Sequence, residues 1–257
     1  MRHFLSCIAL ALFAFLFYAS SPAKKVAQPA DVAMQTFTFD YTPKESTKPG
    51  SASMVLALLK PQYATTFPFP NGELFKSFRS GLGSDIEELI IAKGFTLKGP
   101  YEGYDEMVFD DKKRIDMAIL IEINPQFVSA QGEWKETPHI NLLSMAPSYS
   151  TFSYSGTVSL IGKINISGLE PLTNEKIWSK SVSIPNIENI QINTSGTYDR
   201  RLTANEILFD PGVYNAVGTA LLAQYNGIMD KVAAHFNVEE FNSLKSQIKE
   251  LKSKKGF

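Results

Sequence analysis

The residues best suited to acid–base chemistry are carboxylates clustered in one short stretch: Glu102, Asp105, Glu106, Asp110 and Asp111. Oxygen-rich loops can bind Ca²⁺, and paired carboxylates can hydrolyse glycosidic bonds. The spacing here matches no calcium-binding loop, and basic residues follow at once over positions 112–114. We therefore interpret the cluster as a solvated charged loop and predict no catalytic residue in it.

Nitrogen and sulfur ligands for a metal ion are scarce along the chain. Cys7 is the only cysteine, and beyond the N-terminal apolar segment the histidines are His139 and His235. Neither histidine has a second His or Cys at the spacing of a zinc site. The sequence also lacks the nucleophile-elbow, phosphate-loop and zincin motifs. We predict no metal, no cofactor and no enzymatic activity.

Aromatic side chains beside polar residues are the remaining candidates for a binding site, because their faces suit sugar stacking and protein contacts. Trp134 and Lys135 combine an aromatic face with a cation. They lie in the segment 125–152, which we interpret as irregular because it contains Gly132 and Pro138. We predict these two residues as contact residues. The alternative is that Trp134, like most large aromatic residues, covers the core.

The N-terminus has the order of a secretory signal: a positive start, an apolar run over residues 4–19 and small residues before Lys24. We predict a signal peptide over 1–23, a tether over 24–33 and a single domain over 34–257. An uncleaved anchor is the alternative, although the run is shorter than the roughly 20 residues that a membrane-spanning helix needs. Cys7 precedes most of the run, so lipid attachment is not expected there.

The charge balance argues against one class of partner. Lys plus Arg number 25 and Asp plus Glu number 26, which leaves a formal net charge of −1. Dedicated nucleic-acid-binding proteins usually carry a strongly basic face. We therefore predict no nucleic-acid partner for this chain.

Apolar patterns predict the strands of a sheet. Met34–Tyr41 alternates with a period of two, as in a half-buried strand, and Met54–Leu59 is continuously apolar, as in a strand covered on both faces. Ile115–Ile123 also alternates, and we predict that Pro125 ends that strand. Two further strands, over 157–166 and 176–184, are predicted to form a hairpin, with a separate short strand over 187–194.

Apolar residues spaced by three and four predict three helices. The first begins at Asn71 and ends at Lys93, and its internal glycines predict a kink. The second has Asp210 as its cap and Pro211 at its first position, and the third follows Asn237. The fold class predicted is α+β: a largely antiparallel sheet with one inserted helix and two C-terminal helices packed on one face.

The last helix carries an apolar stripe formed by Phe241, Leu244, Ile248 and Leu251. Its other faces are rich in Lys and Glu. We keep this stripe as a candidate surface for contacting a partner. It would suit a periplasmic or outer-membrane assembly or scaffolding factor that docks another envelope protein through its C-terminal helices.

Four motifs, taken in order, resemble those of a known family. They are Leu58-Leu59-Lys60-Pro61, Ala92-Lys93-Gly94-Phe95, the turn Leu169-Glu170-Pro171-Leu172-Thr173-Asn174-Glu175, and the ending Glu250-Leu251-Lys252. Over roughly residues 33 to 255 the chain resembles the neuraminyllactose-binding hemagglutinin family, the Helicobacter-type envelope adhesins.

The resemblance implies a non-enzymatic adhesin at the outer membrane or cell surface of a Gram-negative bacterium. It implies a sialylated glycan or an envelope protein as partner, and a second copy of the chain is a further candidate. The family's sialoglycan binding is associated with a Lys/Arg-rich segment, and the corresponding stretch here keeps Lys135 and adds Glu133 and Glu136. Family members are typically lipoproteins, whereas the only cysteine here lies inside the apolar run.

Overall fold

The computed structural model describes residues 25–27, 32–141, 143 and 146–254. The predicted signal peptide (1–23) and half of the predicted tether (24–33) lie outside these residues. Within the described part, no helix combines the length and the apolar character needed to cross a membrane.

The strands form one eight-stranded sheet with the order β1-β8-β6-β5-β2-β4, to which β3 adds beside β5 and β7 beside β6. The strands are β1 (Lys25–Ala27), β2 (Val55–Leu59), β3 (Gln62–Tyr63), β4 (Thr96–Tyr101), β5 (Met117–Asn141), β6 (Ala146–Leu169), β7 (Lys176–Asn193) and β8 (Thr197–Tyr198). The long neighbours β5, β6 and β7 are antiparallel, whereas β2 runs parallel to both β4 and β5.

The helices are α1 (Glu73–Ala92), α2 (Phe109–Arg114), α3 (Ala204–Leu208), α4 (Pro211–His235) and α5 (Val238–Lys254). The apolar sides of α1, α4 and α5 pack with one face of the sheet in the main core. A smaller cluster on the other face involves the chain between β4 and β5, which contains a 3-10 turn (Tyr104–Glu106) and α2. The predicted α+β class is confirmed.

The central strand β2 is covered on both faces, as its continuous apolar run predicts. Leu56 and Leu58 belong to the main core, while Ala57 and Leu59 belong to the cluster on the opposite face. These alternating assignments follow from the two-residue period of a strand. The strand therefore anchors both layers of the fold.

The helix ends follow the predicted signals closely. Asp210 caps α4 by accepting a hydrogen bond from the Gly212 backbone N–H at 2.9 Å, and the Asn237 side chain accepts one from Glu240 N–H at 2.9 Å at the start of α5. One cap differs, because Gly72 rather than Asn71 is the N-cap of α1.

The segment predicted as a strand over Met34–Tyr41 is extended but pairs with no strand in the described part of the chain. Its alternation nevertheless buries one side: the Phe39 ring lies 5.2 Å from the rings of Phe78 in α1 and Tyr225 in α4. The Asn215 side chain accepts from the Gln35 backbone N–H at 2.8 Å and donates to the Ala33 carbonyl at 3.0 Å. This segment therefore packs against helices and does not pair with a strand.

α1 continues without interruption through the glycines at which a kink is predicted. These glycines allow close packing. A Cβ at Gly81 would lie 2.6 Å from the Phe39 carbonyl oxygen, and one at Gly83 would lie 3.1 Å from Pro61 Cδ. The extended N-terminal segment and the β2–β3 connection can thus approach the helix backbone.

The prediction of irregular structure over 125–152 is also wrong. β5 continues through Pro125 to Asn141 and pairs with β6 along almost its whole length. β3 pairs with β5 only as far as Ile123, so beyond that point β5 is an edge strand among the described residues. An edge strand tolerates proline because one row of its backbone groups needs no partner strand. Similarly, the separate strand predicted over 187–194 is the second half of β7.

Candidate functional site

The outer part of the β5–β6 hairpin is largely exposed along β5. We call residues 131–141 and 146–157 the hairpin extension. β7 accompanies β6 only as far as Ser155, and β8 adds one pair at Phe152. From the pair Thr137–Thr151 outward, the extension is therefore two-stranded within the described residues.

The two residues predicted to form one contact site lie on opposite faces of the extension. Trp134 pairs with Tyr154 across the strands, and their rings are 5.2 Å apart at 60°. Lys135 pairs with Ser153 and is exposed. Neighbouring residues of a strand point to opposite faces, so a single small ligand cannot contact both side chains. The predicted pair is corrected to two separate positions.

A second aromatic pair lies on the face that carries Lys135. The rings of His139 and Tyr149 are stacked 4.4 Å apart at 11°. His139 Nε2 lies 3.1 Å from the hydroxyl of Thr151, which is buried. Tyr149 is 52% exposed, so one side of this stack is open to solvent.

The interpretation of 125–152 as irregular did not predict this second pair. The signal for a strand lies in residues 148–155, where Tyr, Phe and Thr, which favour strands, are interspersed with serines.

Exposed apolar side chains lie near the described end of the extension and at Leu143, in the turn between its strands. Leu143 is 98% exposed, and Ile140 and Tyr149 are more than half exposed. Large apolar residues clustered at a projecting tip are unusual for a surface that contacts only water. The tip is therefore a candidate contact surface.

Members of the acidic cluster take part in an ion pair and a hydrogen bond near the end of β4. Glu102 forms an ion pair with Lys60, and Glu106 accepts a hydrogen bond from the Glu102 backbone N–H. Among the described residues, no group of three or more His, Cys, Asp and Glu side chains is placed to hold a metal ion. The predicted loop is corrected in part, because Asp110 and Asp111 lie in α2 and Asp105 and Glu106 lie in the 3-10 turn. The cluster is largely exposed, as predicted.

Buried carboxylates occur elsewhere, at Asp85, Glu170 and Asp210. Asp85 accepts a hydrogen bond from the Tyr225 hydroxyl, and burial raises the pKa of Asp85. Asp210 accepts from the Ser195 backbone N–H at 2.7 Å and from the Ser195 hydroxyl at 2.9 Å. Each carboxylate joins separate segments of the chain. Sequence reasoning singled out Asp210 as a helix cap and Glu170 as part of a family-like turn, but it did not single out Asp85.

The apolar stripe of α5 faces inward. Phe241 and Ile248 are fully buried, while Leu244 and Leu251 are half-buried. The Phe241 ring packs 4.9 Å from that of Trp178 in β7. The stripe predicted as a partner-contact surface is therefore largely used within the fold, and Phe241 and Ile248 offer no surface to a partner.

Comparison with solved structures shows a distantly shared fold. The structure of a neuraminyllactose-binding hemagglutinin homolog from Helicobacter pylori is similar with a TM-score of 0.54 and 13% identity, covering 84% of this chain and 100% of that chain. At this identity the likeness shows the fold alone. The predicted resemblance to that family is thus supported at the level of fold, while family membership stays a prediction.

Weaker likenesses extend to other bacterial proteins. A protein from Xanthomonas campestris has a TM-score of 0.29 and 9% identity, covering 77% of this chain and 95% of that one. A lipoprotein from Neisseria meningitidis has a TM-score of 0.22 and 12% identity, covering 65% of this chain and 99% of that one. At these scores they carry no argument. No protein-family model and no curated protein matches the sequence.

Proposed function

We propose that this chain is a non-enzymatic, exported protein of the bacterial cell envelope that binds a glycan or another envelope protein through the hairpin extension. One observation carries the proposal: the extension bears an aromatic pair on each face and exposed apolar residues at its tip. Aromatic faces bordered by polar groups suit both sugar stacking and protein contact.

A sialylated glycan is the first ligand to test. The structure with the same fold is named as a neuraminyllactose-binding hemagglutinin homolog. A carboxylated sugar needs a cationic donor near the aromatic face. Lys135 shares its face of the extension with the His139–Tyr149 stack, whereas Trp134 lies on the opposite face. We therefore place the glycan contact at Lys135 and Tyr149. At Trp134, on the opposite face, we place a more apolar contact with another envelope protein.

Export is the part of the proposal that rests on the N-terminal sequence. The apolar run over residues 4–19 is preceded by a positive residue and followed by small residues, as in a cleaved signal. Cell fractionation with N-terminal sequencing tests it. A mature chain that begins near Lys24 in the envelope fraction supports export, and an intact chain in the cytosol overturns it.

The binding test is a glycan array with purified protein, followed by titration of the strongest hit. We expect Lys135→Ala and Tyr149→Ala to weaken glycan binding, whereas Phe109→Ala, an exposed aromatic residue outside the extension, leaves it unchanged. The same three variants are compared in pull-downs against envelope extracts. Binding that all three variants retain would remove the hairpin extension as the contact surface.

A further inference from the structure

A polar groove opens where the carboxyl end of β2 meets the middle of α1. Its volume is about 560 Å³. It is lined by Leu58, Lys60, Pro61 and Gln62, by residues of α1, by Pro100 in β4 and by Glu102 just after β4. None of its lining residues belongs to the hairpin extension.

The topology of the sheet accounts for the position of the groove. α1 connects β2 to its parallel neighbour β4 on the face of the main core. The 3-10 turn and α2 connect β4 to β5 across the opposite face, where Met107 packs on Leu59 and its neighbours. When successive connections leave parallel strands toward opposite faces, a crevice opens outside their carboxyl ends, and ligands commonly bind there.

The groove contains an arginine that forms no hydrogen bond and no ion pair within the described part of the chain. Two of its cations are engaged, Lys60 with Glu102 and Lys76 with Glu73 at 2.9 Å. Arg79 is half-buried and lines the groove, and among the described residues it has neither a hydrogen bond nor an ion pair. A guanidinium group offers a planar fork of N–H donors that matches a carboxylate or a phosphate. Arg79 is therefore a donor without an acceptor.

The remaining polar groups of the groove restrict the class of anion. Ser80 and Ser84 offer hydroxyls, and Gln62 offers an amide. Glu87 also lines the groove, and its negative charge disfavours a multiply charged anion. Its carboxylate oxygens can accept hydrogen bonds from the hydroxyl groups of a ligand. We propose that the groove binds a small hydroxylated monoanion, with Arg79 holding its carboxylate or phosphate group and Ser84 and Glu87 contacting its hydroxyls.

Calorimetric titration with three probes tests the ligand class. Glucuronate supplies a carboxylate with hydroxyls, and glucose is the neutral control. Inorganic phosphate, titrated at a mildly acidic pH at which its monoanion predominates, supplies the other oxyanion. We expect glucuronate or phosphate to bind and glucose not to bind, and the stronger of the two anions identifies the oxyanion. Binding of neither anion, or equal binding of glucose and glucuronate, overturns the proposal.

Variants of Arg79 then test whether this residue binds the anion. Arg79→Ala should lower the affinity for the bound anion by about tenfold or more, and Arg79→Lys should restore part of it, because lysine keeps the charge without the fork. Arg114→Ala is the matched control, since Arg114 is exposed and lies outside the groove. Unchanged affinity in Arg79→Ala would overturn the assignment.

A measurement on the unaltered protein removes the risk that a variant fails to fold. In ¹⁵N-labelled protein, the anion should shift the amide signals of Gln62, Ser80, Ser84 and Glu87. Shifts confined to other regions, such as the hairpin extension, would contradict binding in the groove.

Discussion

Lys252 Nζ lies 3.8 Å from Oε1 of Glu170, whose side chain is fully buried. Glu170 belongs to the turn after β6, and Lys252 belongs to the last turns of α5. The other oxygen of Glu170 accepts from the Leu172 and Thr173 backbone N–H groups at 3.0 and 2.7 Å. Two of the motifs that carried the family resemblance are therefore neighbours in the fold.

Removing Lys252 should destabilise the protein. Oε1 of Glu170 has no hydrogen-bond partner among the described residues, so Lys252 is the cation that offsets its buried charge. Lys252 also donates to the Ile115 carbonyl at 3.0 Å. We expect Lys252→Ala to lower the free energy of unfolding by about 2–3 kcal/mol, because breaking one side of a buried pair leaves a charge without compensation. Urea unfolding near neutral pH measures it.

Two further variants control this prediction. Lys249→Ala, on an exposed face of the same helix, should change stability by no more than about 0.5 kcal/mol. Adding Glu170→Gln to Lys252→Ala should recover part of the loss, since the uncompensated charge is gone. A double variant as unstable as the sum of both single variants would show that the two residues act independently.

The stability of the chain should also depend on Glu206 in acid. Both oxygens of Glu206 accept from Arg200, at 2.8 and 3.0 Å, and this pairing lowers the pKa of Glu206 from 4.5 to about 2. A carboxyl whose pKa is lowered by folding contributes stability above its unfolded pKa and loses it as the pH falls through the folded value. We therefore expect Glu206→Gln to cost about 1–2 kcal/mol near neutral pH and progressively less below pH 4.5.

The comparison for this prediction is an exposed ion pair on α5. Glu250 pairs with Lys254 one turn later, and both side chains are largely in solvent. Glu250→Gln should leave the stability curve unchanged, since exposed pairs contribute little. If Glu206→Gln also left the free energy of unfolding unchanged across the pH range, the Arg200–Glu206 pair would not stabilise the fold.

Local patterns predicted those elements whose burial is imposed by their own sequence. β2, the stripe of α1 and the caps of α4 and α5 each bury an apolar run or satisfy backbone groups within a few residues. The alternation of apolar residues also predicted correctly that one side of Met34–Tyr41 is buried. It could not predict which elements cover that side, because an extended segment can pack against helices or pair with strands.

Local sequence patterns could not predict the hairpin extension or the groove, for different reasons. The extension has little apolar core to impose a period, and Pro125 is tolerated only because β5 is an edge strand there. Placing Trp134 and Lys135 on opposite faces requires knowing that both lie in a strand. The groove joins residues 58–62, 76–87 and 100–102, whose proximity depends on the parallel pairing of β2 and β4.

Asp85 should give the opposite pH dependence to Glu206. Burial raises its pKa above the ordinary value of 3.8, although hydrogen bonds from the Tyr225 hydroxyl and the Tyr41 backbone N–H oppose the shift. A carboxyl whose pKa is raised by folding contributes stability in acid and loses it as the pH rises through the folded value. We expect Asp85→Asn to become more stable relative to the wild type as the pH rises above 3.8.

Unfolding measured from acid to neutral pH checks this expectation. Asp105→Asn, at an exposed carboxyl of the 3-10 turn, is the control and should follow the wild-type curve. A constant difference between Asp85→Asn and the wild type over the whole range would show that this carboxyl keeps one protonation state throughout.

The two helical glycines Gly81 and Gly227 should respond oppositely to alanine. In an exposed helix position, alanine is favoured over glycine by about 0.5–1 kcal/mol. Gly227 in α4 is exposed, and a Cβ there would meet nothing within 4 Å, so Gly227→Ala should stabilise by that amount. At Gly81 the Cβ would lie 2.6 Å from the Phe39 carbonyl oxygen and 2.8 Å from Phe39 Cβ.

The backbone around Phe39 cannot move away from α1 without moving the Phe39 ring out of its contacts with Phe78 and Tyr225. The cost of overpacking therefore exceeds the gain in helix propensity, and Gly81→Ala should destabilise by about 1–2 kcal/mol. Thermal and urea unfolding of the two variants side by side measure the difference. Stabilisation by alanine at both positions would mean that the segment around Phe39 does not rest on α1 in solution.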